Sequence, residues 1–248
     1  MELPLLGGGS GPTVLLCAAT AFEARLLAGA LGCAPGRRAE AHPGPRIVLV
    51  RVGVGATRLP VFPPSGVPSS VTAMLGVGLC GGLAPAAAPG TVVVATAIQD
   101  AAGARRPCHV GWGALAGRAA AGAGVPVLAG PVLWSPRLLL TPKEKAASAA
   151  AGAVAVDMES GPLLRFAAGR GLPFASIRAV LDGPGERLPA ALPSLLGPGG
   201  EVGGGRFLAL ALRRPIQALT LVALAGRGRR ALGALGKVLE SVLAEPEP

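Results

Sequence analysis

Residues 153–186 read AVAVDMESGPLLRFAAGRGLPFASIRAVLDGPGE, and this stretch restricts the folds open to the chain. A short apolar run, 154–156, reads as a strand and is followed by Asp157, Met158 and Glu159. Pro162 suits the first turn of a helix, where its missing N–H leaves no bond unmade. Leu163, Leu164, Phe166 and Ala167 continue at helical spacing, and Gly169, Gly171 and Pro173 end the helix. Residues 174–181 are a second buried-strand candidate that delivers Asp182 to its C-terminal end. The pattern predicts Glu159 and Asp182 at the ends of neighbouring parallel strands, the edge where open α/β sheets bind ligands.

A chain of 248 residues accommodates one large α/β domain, and a hydrophobic fraction of 51% supplies a core. Aromatics make up 3% and Tyr is absent, which argues against a stacking platform for single-stranded nucleic acid. The formal net charge of +10 fits phosphate, nucleic acid or an anionic membrane surface, and equally a codon bias toward Arg. The basic residues crowd the last quarter, at Arg213, Arg214, Arg227, Arg229, Arg230 and Lys237. Cys17, Cys33, Cys80 and Cys108 show no metal spacing and read as free thiols, with Cys17 and Cys80 in buried strands. That usage fits a reducing cytoplasm. The N-terminus lacks a basic n-region, so no signal peptide is expected, and no uninterrupted apolar run is long enough to span a membrane.

In chain order, residues 13–19 form a first strand. Thr20 then caps a helix, with Glu23 at capping-box spacing. Residues 46–52 form a second strand ending in Gly53, Val54 and Gly55, after which a run with four prolines prevents a regular helix. Residues 74–79 form a third strand leading into Cys80, Gly81 and Gly82, read as a glycine loop that offers backbone N–H groups. Gly76, Gly78 and Gly81 match G-x-G-x-x-G, but the following LAPAAAPG cannot open the helix that a dinucleotide site requires. Residues 91–98 and 125–133 are further strands, and 101–124 is a low-complexity segment in which His109 reads as a loop residue. With His42 and His109 as the only histidines, a catalytic triad or zinc site has little support. Thr141 opens a helix to about residue 151. Beyond Glu186, residues 187–205 read as a Pro/Gly-rich loop, and 206–243 as two or three amphipathic helices with Arg on the polar face. That basic region either packs on the sheet or touches a membrane surface.

Three motifs in order now resemble one family. They are the first strand with Glu23, the run 78–85 followed by 89–93, and the run 155–160 with 171–173 and 177–182. The chain is similar to the purine nucleoside phosphorylase and methylthioadenosine nucleosidase superfamily. Its basic, Leu-rich end with Arg213, Arg214 and Pro215 looks like the hopanoid-associated branch, which is implicated in removing adenine from adenosylhopane.

The resemblance implies a three-layer α/β/α domain over 13–186 with a central mixed sheet, plus a basic helical tail packed on it or appended to it. It implies cleavage of the bond between ribose C1′ and a purine nitrogen, without a cofactor or metal, using inorganic phosphate or water as co-substrate. Asp182 would protonate the base at N7, and Glu23 would orient the nucleophile if that is water. Glu159 would hold the ribose hydroxyls and Met158 would pack against the sugar. Cys80, Gly81 and Gly82 would line the substrate, with Arg51 and Arg25 the nearest candidates for phosphate. The substrate expected is a small or lipid-linked purine nucleoside. The partners expected are a peripheral membrane contact or a second copy of the chain, with no nucleic acid. The alternatives are a soluble methylthioadenosine, adenosylhomocysteine or futalosine nucleosidase, and a non-catalytic membrane-associated protein. Pro162, the Pro-rich run after Gly55 and the lack of a clear phosphate arginine depart from the family pattern.

Overall fold

The computed structural model describes residues 12–32, 46–59, 70–195, 197 and 204–248. Cys33, His42 and most of the Pro-rich run after Gly55 lie outside them. The sheet is built around β3 (Val71–Gly82), which pairs in parallel with β1 (Thr13–Ala18) and with β8 (Phe174–Asp182). β1 in turn pairs with β2 (Arg46–Arg51). On the far side, β8 meets β4 (Val92–Gln99) antiparallel, and β4 carries β5 (Arg105–Pro107) and β6 (Val127–Trp134). β6 pairs with β7 (Ala155–Asp157), and β7 returns to the end of β3 at Gly81 and Gly82. The pairings β3–β8–β4–β6–β7–β3 therefore close a ring, with β1, β2 and β5 as extensions.

This ring corrects two sequence expectations. β7 and β8 are not paired neighbours, because both border β3, and β7 runs antiparallel to it. Cys80, Gly81 and Gly82 are not a loop but the last residues of β3. A Cβ on Gly82 would lie 2.2 Å from the Ala87 carbonyl, so only glycine fits where the chain folds back.

Alternation along the strands sends side chains to two cores. Val14, Leu16 and Ala18 join one cluster, while Leu15 and Cys17 join the other. The first cluster lies under α1 (Ala21–Ala30), α2 (Val110–Gly122) and α7 (Pro215–Ala244). The second is covered by α4 (Ser160–Ala168), through Leu163, Leu164 and Ala167. A mixed sheet between helical layers results.

The segment 101–124 holds a full helix that its Ala/Gly composition concealed. His109 is the N-cap of α2, its Nδ1 accepting from the Trp112 N–H at 3.3 Å, and Trp112 and Leu115 are buried. Among the described residues of the 187–205 region, a short helix, α5 (Leu192–Leu195), follows Ala191, and the next helix begins at Gly204. The basic region forms two helices, α6 (Gly204–Arg213) and α7, broken at Arg214 with Pro215 in the first turn of α7. The second half of α7 is core: Leu232, Leu235, Val238, Leu239 and Val242 are fully buried beside strand residues. At Gly236 a Cβ would come within 2.5 Å of the Ala30 Cβ, which sets the close crossing of α7 over α1. Among the described residues, no helix is long and apolar enough to cross a membrane.

Candidate active site

Glu23 is fixed first. The capping box at Thr20 forms, with the Thr20 N–H and hydroxyl both donating to Glu23 Oε2 at 2.8 Å. Its other oxygen, Oε1, accepts the Leu79 N–H of β3 at 2.8 Å. The residue is therefore both a helix cap and a buried carboxylate at the end of the sheet. The capping-box expectation for Glu23 is met.

Gly78 makes this contact possible. A Cβ there would lie 2.5 Å from Glu23 Oε1 and 3.2 Å from Arg178 Nη1. Its φ of +143° is a conformation that side-chain-bearing residues rarely adopt. On β8, Arg178 stands in register opposite Gly78, and Ser176 opposite Gly76. The glycine spacing on β3 makes room for a buried guanidinium rather than for a pyrophosphate.

Arg178 is wholly buried. Its Nε lies 3.0 Å from Asp157 Oδ2 and its Nη1 3.7 Å from Glu159 Oε2. Further donations go to Ser176 Oγ (3.3 Å), the Val77 carbonyl (3.4 Å) and Ser160 Oγ (3.4 Å). Burial alone pulls the guanidinium down, but Asp157, Glu159 and Glu23 outweigh it and hold it above its ordinary value. Asp157 also accepts from the Ser160 N–H at 3.0 Å and from the Ser160 hydroxyl. Sequence reasoning assigned neither Arg178 nor Asp157 a role. The available signal was one charge in the apolar run FASIRAVL, since an arginine at a strand centre needs a carboxylate partner.

Glu159 follows β7 and precedes α4. Its Oε1 accepts the Gly55 N–H at 2.9 Å, so the glycine turn after β2 reaches across to it. Burial pushes its carboxyl up to about 7. Arg178 opposes that rise, while Asp157 and Glu23 add to it. Met158 is half-buried, and its carbonyl accepts the Trp134 indole N–H at 3.0 Å.

Asp182, at the end of β8, is 3% exposed. Both of its oxygens lie 3.7 Å from the position of a Gly81 Cβ, so it borders the last turn of β3. Lys145 of α3 (Pro142–Ala149) forms a buried ion pair with Asp182 Oδ2. Burial raises the Asp182 carboxyl and Lys145 opposes the rise, leaving it above the ordinary range. Cys80, beside it on β3, is a buried thiol whose burial keeps it protonated.

The structure thus gathers Glu23, Glu159, Arg178, Cys80, Gly81 and Asp182 around the C-terminal end of β3. Arg25 does not join them: it is exposed on α1 and its Nε donates to the Ala21 carbonyl at 3.2 Å. Arg51 is half-buried at the end of β2, in register with Ala18. Among the described residues, no cluster of His, Cys, Asp and Glu has the arrangement of a metal site.

The sequence profile of the phosphorylase superfamily matches residues 37–192. No curated protein matches the chain by sequence. Among solved structures, the fold is similar to the 5′-methylthioadenosine/S-adenosylhomocysteine nucleosidase of Neisseria meningitidis. That match has 19% identity and a TM-score of 0.68, and covers 94% of this chain and 98% of that one. The corresponding nucleosidase of Helicobacter pylori gives 13% identity and a TM-score of 0.68, with the same coverage. Futalosine hydrolase of Helicobacter pylori gives 12% identity and a TM-score of 0.67, covering 93% and 97%. At these identities the likeness is one of fold.

Proposed function

The chain belongs to the phosphorylase superfamily, and from that premise we propose that it cleaves the N-glycosidic bond of an adenine nucleoside. The observation that carries this reading is the set of buried carboxylates Glu23, Glu159 and Asp182 around one strand end. Departure of the base leaves positive charge on the sugar and negative charge on the base. Asp182 donates its proton to N7 as the C1′–N bond breaks, so the base leaves neutral. A buried carboxyl held above its ordinary range suits that task, and such a transfer contributes roughly 10²–10⁴-fold in rate. Glu159 accepts the ribose hydroxyls, and Met158 packs on the sugar. Glu23 orients water toward C1′ and takes its proton, giving free sugar and adenine. Cys80, Gly81 and Gly82, the last residues of β3, border the substrate in this reading.

Hydrolysis is favoured over phosphorolysis because the Arg178 donors are committed to Asp157, Ser176, Val77 and Ser160. At the 5′ end, we favour a lipid-linked nucleoside such as adenosylhopane, met at a membrane surface. Support comes from the exposed side chains Leu212, Ile216, Leu219 and Val222, beside Arg213 and Arg214. A soluble methylthioadenosine or futalosine nucleosidase is the second reading, favoured by the fold neighbours.

Adenine release from purified protein tests the assignment, with adenosylhopane and methylthioadenosine side by side, with and without phosphate. Release is expected without phosphate and faster from the lipid-linked compound, and Asp182→Asn is expected to slow it at least ~100-fold. Unchanged release by Asp182→Asn would remove the acid role, and no release from either compound would remove the enzyme reading.

A further inference from the structure

We propose that Lys145 is the positioning residue for Asp182: its ammonium pins Oδ2 and leaves Oδ1 to carry the proton exchanged with the base. The inference rests on Asp182 being the acid of the reaction. Its starting point is a lysine that is 1% exposed on a polar helix, α3, whose neighbours Lys143, Ala146 and Ala147 are exposed. A buried ammonium is strongly disfavoured unless it is paired and fully hydrogen-bonded. Lys145 meets both conditions. Beside Asp182 Oδ2, its Nζ donates to the Gly183 carbonyl at 2.6 Å and the Glu186 carbonyl at 3.0 Å. Three acceptors match the three donors of the ammonium, so it has no spare donor for substrate.

The mounting is equally defined. Thr141 and Glu144 form a capping box, and Arg137 holds Glu144 at 2.6 Å. The Lys145 N–H donates to the Thr141 carbonyl, which places the side chain one turn into α3 and toward β8.

The chemistry follows from the balance of charge. In the reaction the Asp182 Oδ1–H bond breaks, an N7–H bond forms, and the electron pair stays on Asp182. Burial alone would make that carboxylate costly and the acid weak. Lys145, ion-paired to Oδ2, stabilises the carboxylate that remains. The other groups facing Asp182 are Glu186 from the following loop, Arg227 from α7, and the Cys80 thiol of β3. Arg227 and Glu186 pair with each other at 2.5 Å and largely offset one another, which leaves Lys145 as the dominant charge.

The chain has three aspartates and three lysines, so carboxyl-¹³C and Nζ-¹⁵N NMR resolve each residue in the full-length protein. Asp182→Asn assigns the Asp182 signal. In Lys145→Met the Asp182 midpoint is expected to rise by roughly 1–3 pH units, the effect of removing an adjacent opposite charge. Lys145→Arg, which keeps the charge, is expected to hold it near the wild-type value. An unmoved midpoint in Lys145→Met, or equal movement in both variants, overturns the proposal. Wild-type protein supplies a test free of folding effects: the Lys145 Nζ signal must shift at the Asp182 midpoint, and absence of that coupled shift overturns it too. The alkaline limb of the base-release profile is expected to move up with the NMR midpoint. A wild type that releases no base counts against the nucleosidase reading, while the titration still judges Lys145.

Discussion

At the scale of single residues, the candidate site is an arrangement of charges almost wholly withdrawn from bulk solvent. Glu159 shows the consequence most directly, because burial and two neighbouring carboxylates lift it from an ordinary value of 4.5 to about 7. Its folded value lies above its unfolded one, so between them the native state binds a proton that the unfolded chain does not. The stability from this source is whole below about pH 4.5 and is lost as pH climbs to about 7, ~3 kcal/mol in all. Glu159→Gln cannot titrate. Urea unfolding from pH 5 to pH 8 is therefore expected to show the variant gaining on wild type by about that amount, and parallel curves would refute it. Ribose affinity in the wild type is expected to strengthen over the same range, as the carboxylate that accepts the hydroxyls forms. The sequence exposed Glu159, Glu23 and Asp182 because each sits at a strand–turn or strand–helix junction. It concealed Lys145, since a lysine in TPKEKAAS reads as an ordinary solvated helix residue until β8 is placed beside it.

At the scale of elements, β3 does most to shape the site. Its glycines differ in purpose, and the pattern G-x-G-x-x-G could not distinguish them. Gly76 and Gly78 clear space for Arg178 and Glu23, Gly81 borders Asp182, and Gly82 lets the chain fold under Ala87. A one-dimensional reading ended the strand at 79, because glycines there look like a turn; cross-strand pairing to β7 and β8 carries it to 82. α2 was hidden for a related reason: its burial rests on Trp112, Leu115 and small alanines, which carry little periodic contrast. The glycine argument yields a graded prediction. Gly78→Ala forces a Cβ into the Glu23 carboxylate in a strained backbone, at a cost of roughly 1–3 kcal/mol. Base release should fall with it as Glu23 is displaced. Gly76→Ala meets Leu163 Cδ1 at 3.2 Å, Phe174 Cζ at 3.3 Å and Arg178 Nη2 at 3.4 Å without the positive φ of Gly78, and is expected to be the milder change. Thermal melts and base-release rates for the two variants check the order, and equal effects would show that the Glu23 contact does not matter.

At the scale of the whole molecule, the strands close into a ring whose outer face is completed by the end of the chain. The amphipathic character of 206–243 was legible, but the sequence could not divide it between core and surface. The structure divides α7 near its middle. Leu232, Leu235 and Leu239 are fully buried, each worth roughly 1.5–3 kcal/mol, so deleting this region would unfold the sheet it covers. Leu212, Ile216, Leu219 and Val222 instead stand 58–79% exposed, with Arg213 and Arg214 beside them, on a chain of net charge +10. An apolar row flanked by arginines fits the interface of an anionic bilayer, where apolar burial and attraction to lipid headgroups add. Point changes therefore test the contact where truncation cannot. Sedimentation with vesicles containing anionic lipid is expected to carry down the wild type, more weakly as salt rises. Replacing the four exposed side chains with Ser is expected to weaken the association at least about tenfold, with the melting temperature little changed because none of them is in the core. Wild-type protein that stays in the supernatant at low salt would dismiss the membrane contact. It would move the substrate reading to the soluble nucleosides while leaving the chemistry at Asp182 intact.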